Sequence, residues 1–143
     1  MCCERGLTKI AMKRIEPHFA KFMGEVWEEI CIEWLWEQVK KERIGDVFFE
    51  IGSWWGNNPI KKREEEIDIL AVADKTFYFG ECKWKEEFIN KEVLDKLIYR
   101  SHLPVFSLLN KEYYLFSKSG FSSDILAQKQ DNIHLISLKN IFE

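Results

Sequence analysis

The sequence predicts a single α/β domain in which a mixed central sheet is covered by helices on both faces. Apolar residues recur at three- and four-residue spacing between about residues 22 and 41, which is typical of an amphipathic helix. Two runs rich in β-branched and aromatic residues, 65–73 and 76–84, flank a two-residue turn and predict a β-hairpin. Both faces of that hairpin are largely apolar, which indicates that both are covered.

The other elements can be placed in order along the chain. Residues 1–14 have no strong period and are expected to form a loose lead-in to a domain spanning 15–143, with Glu16-Pro17 interrupting any helix there. The predicted order is helix, three strands, helix, strand, helix, strand. Before the hairpin we predict a strand at 47–55 and an exposed turn at 52–59. After it we predict a helix from the N-cap Asn90 to about Ser101 and a strand at 113–117. The chain is then expected to form a helix that is capped by Ser122 or Ser123 and ends at Gln130, followed by a strand at 133–138.

Composition predicts a soluble protein of the cytoplasm. Of its 143 residues, 46% are hydrophobic and 31% are charged, the profile of a globular domain. No apolar run approaches the roughly 20 residues needed to span a bilayer, so no membrane contact is expected. The first residues lack the apolar core of a signal peptide, which favours a cytoplasmic location.

Several other functional classes lack their motifs here. The four cysteines form no C-x-x-C pair and the three histidines show no local ligand spacing, so a zinc site is not expected. Cys31 and Cys82 are predicted to be buried reduced thiols. Neither G-x-x-x-x-G-K-[ST] nor G-x-G-x-x-G is present, which argues against ATP binding by either route.

One end of the hairpin carries a concentrated group of charges. If the turn is centred on its two intervening residues, Asp68 lies opposite Glu81 and Glu66 lies opposite Lys83. Alternation of side chains then places all four on one otherwise apolar face. Directly opposed like charges destabilise a sheet, so the two facing acids need a compensating charge. Lys83 supplies part of it, and Mg²⁺, which prefers hard oxygen ligands, would supply the rest.

Two acids and a lysine around one metal ion can activate water for attack on a phosphodiester. The alternative is an ion-pair cluster at the rim of the sheet, with Lys83 bridging Glu81 and Glu66. Glu-x-Lys alone arises often by chance. The hairpin register, the apolar setting and the preceding Asp68 together favour the metal-site interpretation.

Other candidate residues lie outside the hairpin. Glu28 flanks the aromatic stripe of the first helix and can lean over the sheet, although taken alone it is a solvated helix acid. Trp54 and Trp55 precede the basic run 61–63 and would stack bases, or more simply divide between core and rim. The net charge of −3 is unusual for a nucleic-acid binder, but it allows a local positive cleft. The basic residues of the second helix, solvated or phosphate-facing, are Lys91, Lys96 and Arg100.

With these residues in place, the chain resembles the PD-(D/E)xK nuclease superfamily, whose restriction-endonuclease-like core is a helix, three strands, a helix and a further strand. Asp68 matches the first acid of the motif, with Ile67 in place of the nominal proline. Glu81 and Lys83 match the Glu-x-Lys element, and Glu28 matches the acid often carried on the first helix.

More narrowly, residues 15–143 are similar to the nuclease-like C-terminal domain of archaeal DEXX-box-type ATPases. The ATPase and winged-helix portions expected upstream in that family are absent from this chain. The segments that carry the similarity are Gly24-Glu25-Val26-Trp27-Glu28, Trp54-Trp55, Glu66-Ile67-Asp68-Ile69, Gly80-Glu81-Cys82-Lys83-Trp84 and Phe116-Ser117-Lys118-Ser119-Gly120-Phe121.

The resemblance implies a Mg²⁺-dependent nuclease domain acting on DNA, with Mn²⁺ as a substitute ion. Asp68, Glu81 and the backbone carbonyl of Cys82 would hold the metal, Lys83 would orient or deprotonate the attacking water, and Glu28 would be an outer-sphere or second-metal ligand. One alternative is a catalytically silent module that binds DNA or a partner protein, attached to an ATPase domain in longer relatives. Another is a homodimerisation domain whose tryptophans form the subunit interface.

Overall fold

A computed structural model describes residues 2–107, 110–127 and 130–142, with side chains described from His18 onward. Four helices and five strands are present in this part of the chain. In order, they are α1 (Cys2–Lys40), β1 (Glu50–Asn58), β2 (Arg63–Val72), β3 (Thr76–Lys83), α2 (Lys91–Ser101), β4 (Asn110–Ser117), α3 (Ser123–Leu126), β5 (Ile133–Ser137) and α4 (Leu138–Ile141). The predicted order is confirmed, and the short α4 was not predicted.

The five strands form one mixed sheet in the order β1-β2-β3-β4-β5. β1, β2 and β3 pair in antiparallel fashion, whereas β3, β4 and β5 are parallel. α2 connects the parallel strands β3 and β4, because parallel neighbours need a crossover connection. Its N-cap is Asn90, as predicted, and the Asn90 side chain accepts a hydrogen bond from the Val93 N–H.

Two apolar cores flank the sheet, as the two-faced hairpin predicted. On one side α1 packs Trp27, Cys31 and Leu35 against the sheet, and all three are almost completely buried. On the other side Leu94 and Leu97 of α2 form the second core with sheet residues and α3. Among the described residues, no helix combines the length and apolar character that crossing a bilayer requires.

The expected interruption of the first helix at Pro17 was wrong, because α1 continues from Cys2 to Lys40. A proline inside a helix removes one backbone hydrogen bond, and a helix can continue on both sides of it with a kink. The division into a lead-in at 1–14 and a domain at 15–143 stays a prediction.

The exposed turn expected at 52–59 was also wrong. β1 extends to Asn58 because residues 54–58 pair with β2. Trp54 lies opposite Ile67 at one end of this paired stretch, and Asn58 lies opposite Arg63 at the other. Gly56 suits this strand, since a Cβ there would lie 2.5 Å from the Trp54 ring. The two tryptophans divide between core and rim, as predicted: Trp54 packs edge-on against Phe106 with ring centroids 4.9 Å apart, and Trp55 is 71% exposed.

β2 contains a bulge that sequence alternation did not predict. The register with β1 shifts between Gly52 and Trp54, so that Asp68 and Ile69 together oppose a single β1 residue. Ile67 therefore packs into the α2-side core and Ile69 into the α1-side core, although the two are separated by one residue. The bulge lies at the strand position that carries the first candidate acid.

Candidate active site

The candidate site lies where β2 and β3 separate. The β2–β3 ladder has the predicted register over four residue pairs. The first pair is Val72 opposite Phe77, and the last is Ile69 opposite Gly80. The ladder ends at that pair. The predicted cross-strand pairs, Asp68 with Glu81 and Glu66 with Lys83, were therefore wrong, because these residues do not pair in the β2–β3 ladder. Along its other edge β2 stays paired with β1 at this point, and Glu66 lies opposite Trp55. The reason is the bulge, which bends β2 away from β3 just beyond the last ladder pair.

Asp68 lies between α1 and the end of β3, where its charge acts on both Glu28 and Glu81. Its Oδ2 accepts a hydrogen bond from the Cys82 backbone N–H at 2.9 Å, which holds the carboxylate against the end of β3. The Glu28 carboxyl of α1 is in hydrogen-bonding contact with Asp68. Partial burial, together with the charge and hydrogen bond of Asp68, raises the pKa of Glu28 to about 7. Two of the predicted site residues are thus in direct contact.

Glu81 is buried on the α2 side of the sheet with 7% of its surface exposed. Its Oε1 lies 3.2 Å from the Lys83 ammonium, and its Oε2 lies 4.0 Å from a guanidinium nitrogen of Arg100. Oε2 is buried and has no hydrogen-bond partner among the described residues. Burial raises the pKa of Glu81 to about 7; the negative charge of Asp68 adds to the rise, and Lys83 and Arg100 oppose it.

Replacing Glu81 with glutamine is expected to stabilise the folded protein above pH 7. The pKa of Glu81 is about 7 in the folded protein, and the ordinary value for a glutamate is 4.5. Between these two pH values the unfolded chain loses the proton of Glu81 more readily than the folded protein does, so the free energy of unfolding falls as the pH rises from 4.5 to about 7. Glutamine keeps the shape without the charge. The free energy of unfolding is expected to increase by on the order of 2 kcal/mol at about pH 8. The increase is expected to vanish near pH 4.5, the ordinary pKa of a glutamate.

Urea unfolding on both sides of this pH window measures the free energy of unfolding. The exposed neighbour Glu87, changed to glutamine, is the matched control. A difference between wild type and Glu81→Gln that does not vary with pH would contradict the assignment of the buried charge to Glu81.

A second charged network, centred on Glu65, adjoins the site and was missed by the sequence analysis. Glu65 is 3% exposed and accepts hydrogen bonds from Arg63 Nε at 2.8 Å, Arg100 Nε at 3.0 Å and Asn58 Nδ2 at 3.4 Å. Burial raises the pKa of Glu65, but these hydrogen bonds outweigh it and hold the pKa below its ordinary value.

Arg100 is therefore not a solvated helix residue, which was one of the two interpretations of its position. It bridges the buried Glu65 to Glu81, and its side chain is 25% exposed. The bulge explains why Glu65 was missed, since strict alternation across β2 would have put this acid on the opposite side from α2. The partners on α2 are distant in sequence, and no motif joins them to β2.

Cys31 and Cys82 are free thiols, as predicted. Cys31 is fully buried and Cys82 is partly buried. Burial, together with the neighbouring Cys31 thiol, raises the pKa of the Cys82 thiol well above its ordinary value. A protonated thiol is a poor metal ligand, so any contact from this residue to an ion would come from its backbone carbonyl.

The site contains the type of oxygen donor that a hard divalent cation prefers. Asp68 and Glu81 supply carboxylate oxygens, and the buried Glu81 Oε2 lacks the donor that a buried acceptor normally has. As the side chains stand, no three Asp, Glu, His or Cys residues converge closely enough to hold an ion within the part of the chain that is described.

Comparisons with known proteins place the chain among uncharacterised relatives. It is 34% identical over 85 residues to the uncharacterised protein MJECL04 of Methanocaldococcus jannaschii, an alignment that covers 58% of this chain and 18% of the relative. The chain thus matches less than a fifth of that protein's length.

A solved structure, the protein of unknown function AF1548, is similar at a TM-score of 0.48 and 20% identity, covering 76% of this chain and 58% of the other. The family model DUF234 matches residues 2–97, about two thirds of the chain. The chain therefore belongs to the DUF234 family, described as archaea bacterial proteins of unknown function.

Proposed function

We propose that this chain is a PD-(D/E)xK-type nuclease domain that hydrolyses DNA phosphodiester bonds with Mg²⁺. The observation that carries the proposal is Glu81, a buried carboxylate whose Oε2 has no hydrogen-bond partner among the described residues, with Lys83 at 3.2 Å from its other oxygen. The order of one helix, three strands, a crossover helix and a further strand supports a restriction-endonuclease-like core.

In this proposal Asp68, Glu81 and the Cys82 carbonyl would hold the ion. When bound, Mg²⁺ would lower the pKa of a coordinated water and offset charge on the phosphate. The hydrogen bond from the Cys82 N–H to Asp68 Oδ2 orients one carboxylate, and the Lys83 ammonium orients the other. A carboxylate whose orientation is already fixed loses less order when an ion binds to it.

Lys83 and Glu28 would have different tasks around these ligands. The Lys83 ammonium, about two-thirds buried, can orient a water molecule and donate to a phosphate oxygen as negative charge develops there. Glu28 contacts Asp68 and would act as an outer-sphere group that fixes its orientation. Its pKa of about 7 allows it to take up and release a proton near neutral pH.

Metal binding and cleavage test the proposal together. Calorimetry with Mn²⁺ or Mg²⁺ is expected to show a site in the wild type that Asp68→Asn weakens by at least about tenfold, because an amide oxygen carries no charge. The same variant is expected to lose cleavage of mixed DNA substrates. Asp74→Asn, an exposed change in the β2–β3 turn, is the control. Undiminished cleavage by Asp68→Asn at saturating Mg²⁺ would contradict the assignment.

One observation favours a second candidate function, a nuclease-fold module that binds DNA or a partner protein without cutting. The Arg100 guanidinium lies 4.0 Å from Glu81 Oε2 and supplies part of the positive charge that an ion would bring. Because the chain matches 18% of a much longer relative, attachment to further domains, such as an ATPase, belongs to this proposal. DNA binding without any metal-dependent cleavage would select the module over the nuclease.

The dimerisation alternative now involves one tryptophan, because Trp54 packs in the core and Trp55 alone is largely exposed. Sedimentation of Trp55→Ala is the direct test. An unchanged oligomeric state would argue against a tryptophan interface.

A further inference from the structure

A cleft of about 510 Å³ lies beside the candidate active site, between the β1–β2 turn and α2. Lys61 of the turn and Arg63 at the start of β2 line one side, and Lys96, Tyr99 and Arg100 line it from the helix. The Lys61 ammonium lies over the Tyr99 ring, 4.5 Å from its centroid. The cleft therefore has basic groups on both walls.

The residues that line the cleft carry one more positive than negative charge. Four basic and three acidic residues line it. One of the acids, Glu65, is buried and neutralised by Arg63 and Arg100, so it presents no free carboxylate to a ligand. The other two acids, Glu64 and Asp95, are exposed, as are Lys61 and Lys96. The two lysines are thus matched by the two exposed acids, and the surplus positive charge lies on Arg63 and Arg100, which share the single buried carboxylate of Glu65.

The turn that carries Lys61 is held rigidly. Asn58 is fully buried, and its Oδ1 accepts hydrogen bonds from the backbone N–H groups of Ile60 at 3.1 Å and Lys61 at 3.2 Å. Its Nδ2 donates to the Tyr99 hydroxyl at 2.8 Å, which ties the turn to α2. Lys62 completes the turn with a φ of 51°. Both walls of the cleft are thus fixed relative to each other before any ligand binds, which lowers the entropy lost on binding.

The cleft also adjoins the candidate reaction centre. Arg100 lines it, and the same guanidinium lies 4.0 Å from Glu81 Oε2. A chain of anionic groups that contacts Arg100 in the cleft would therefore lie beside Glu81. The phosphates of a DNA strand are such a chain, with one charge at each regular step along the backbone.

We propose that this cleft binds the phosphate backbone of a DNA strand next to the bond that is hydrolysed, with Lys61 and Lys96 each contacting a phosphate. This inference rests on the proposed nuclease function and specifies how its substrate is held. Arg100 joins the cleft to the reaction centre, and Asn58 positions the turn without touching the DNA. Contacts of this kind carry no base information, so the cleft binds different sequences alike.

The test measures binding to a short fluorescent DNA duplex by anisotropy, with EDTA present so that no cleavage occurs. The Lys61→Gln, Lys96→Gln double variant removes two exposed charges from the cleft. The Lys75→Gln, Lys139→Gln double variant removes two exposed charges elsewhere and is the matched control. Both variants change exposed side chains, and circular dichroism verifies that they fold.

Each phosphate contact contributes about 0.9 to the slope of log affinity against log salt. The cleft variant is expected to lower this slope by about 1.8 and to bind at least about tenfold more weakly at about 100 mM salt. The control variant is expected to match the wild type. If both variants retain the wild-type affinity and slope, the cleft does not bind DNA and the inference is overturned.

A parallel cleavage assay with Mg²⁺ separates this inference from the proposed function. Cleavage by the wild type together with unchanged binding by the cleft variant overturns the inference and leaves the nuclease proposal standing. Weakened binding by the cleft variant without any wild-type cleavage supports the cleft and removes the catalytic role. Absence of wild-type binding even at about 50 mM salt overturns the inference.

Discussion

The Lys83→Met protein is expected to cleave DNA about 10²–10³ times more slowly than the wild type. The Lys83 ammonium is the positive group closest to Glu81, at 3.2 Å from Oε1, and it is about one-third exposed. A donor aimed at charge that develops on the phosphate acts mainly in the transition state, so its loss lowers the rate more than substrate binding.

Single-turnover cleavage at saturating metal and DNA measures this effect. Loss of the Lys83 charge also removes an interaction that lowers the pKa of Glu81, so the rates are compared over a range of pH, which separates a change in Glu81 ionisation from the loss of the Lys83 donor. The exposed Lys85, changed to methionine, is a control two residues along the chain. Equal rates for Lys83→Met and Lys85→Met would remove Lys83 from the mechanism.

The Glu65→Ala protein is expected to lose about 3 kcal/mol of folding free energy. Glu65 is the buried acceptor for three donors, and its removal leaves Asn58 and Arg100 without their carboxylate partner. Arg100 has little compensating access to water because its side chain is 25% exposed. Removing one partner of a buried ion pair is costly because the other charge stays desolvated.

Urea unfolding measures this change, and the exposed neighbour Glu64, changed to alanine, is expected to stay within about 0.5 kcal/mol of the wild type. The contribution of Glu65 has a definite pH dependence. Its pKa is held below the ordinary value of 4.5, so its stabilisation is present above that value and is lost as pH falls below it. An equal cost for the two alanine variants at neutral pH would contradict the role given to Glu65.

Glu65 and Glu81 therefore affect stability in opposite directions. Both are buried and both interact with Arg100, but only Glu65 has hydrogen-bond donors on both carboxylate oxygens. Glu81 stays destabilising above neutral pH. A destabilising arrangement of this kind is expected at a site that binds a cation, because the ion supplies the missing interaction.

The order of the elements could be predicted because it depends on local patterns. Spacing of apolar residues specifies the helical face of α1, and the two-residue turn sets the β2–β3 register that the structure confirms from Val72–Phe77 to Ile69–Gly80. The cap at Asn90 follows from the preference of short polar side chains for helix N-termini. These features need no knowledge of distant residues.

The tertiary structure alone decided how the candidate site is assembled. The bulge at Asp68 depends on the pairing of β2 with β1, and it turns the carboxylate toward Glu28 of α1 instead of into a cross-strand pair with Glu81. The bridge from Glu65 through Arg100 to Glu81 joins β2, α2 and β3. Sequence periodicity reports which face of one element is apolar. Contacts among three elements depend on how their faces pack, because burial and long-range charge pairing are properties of the assembled fold.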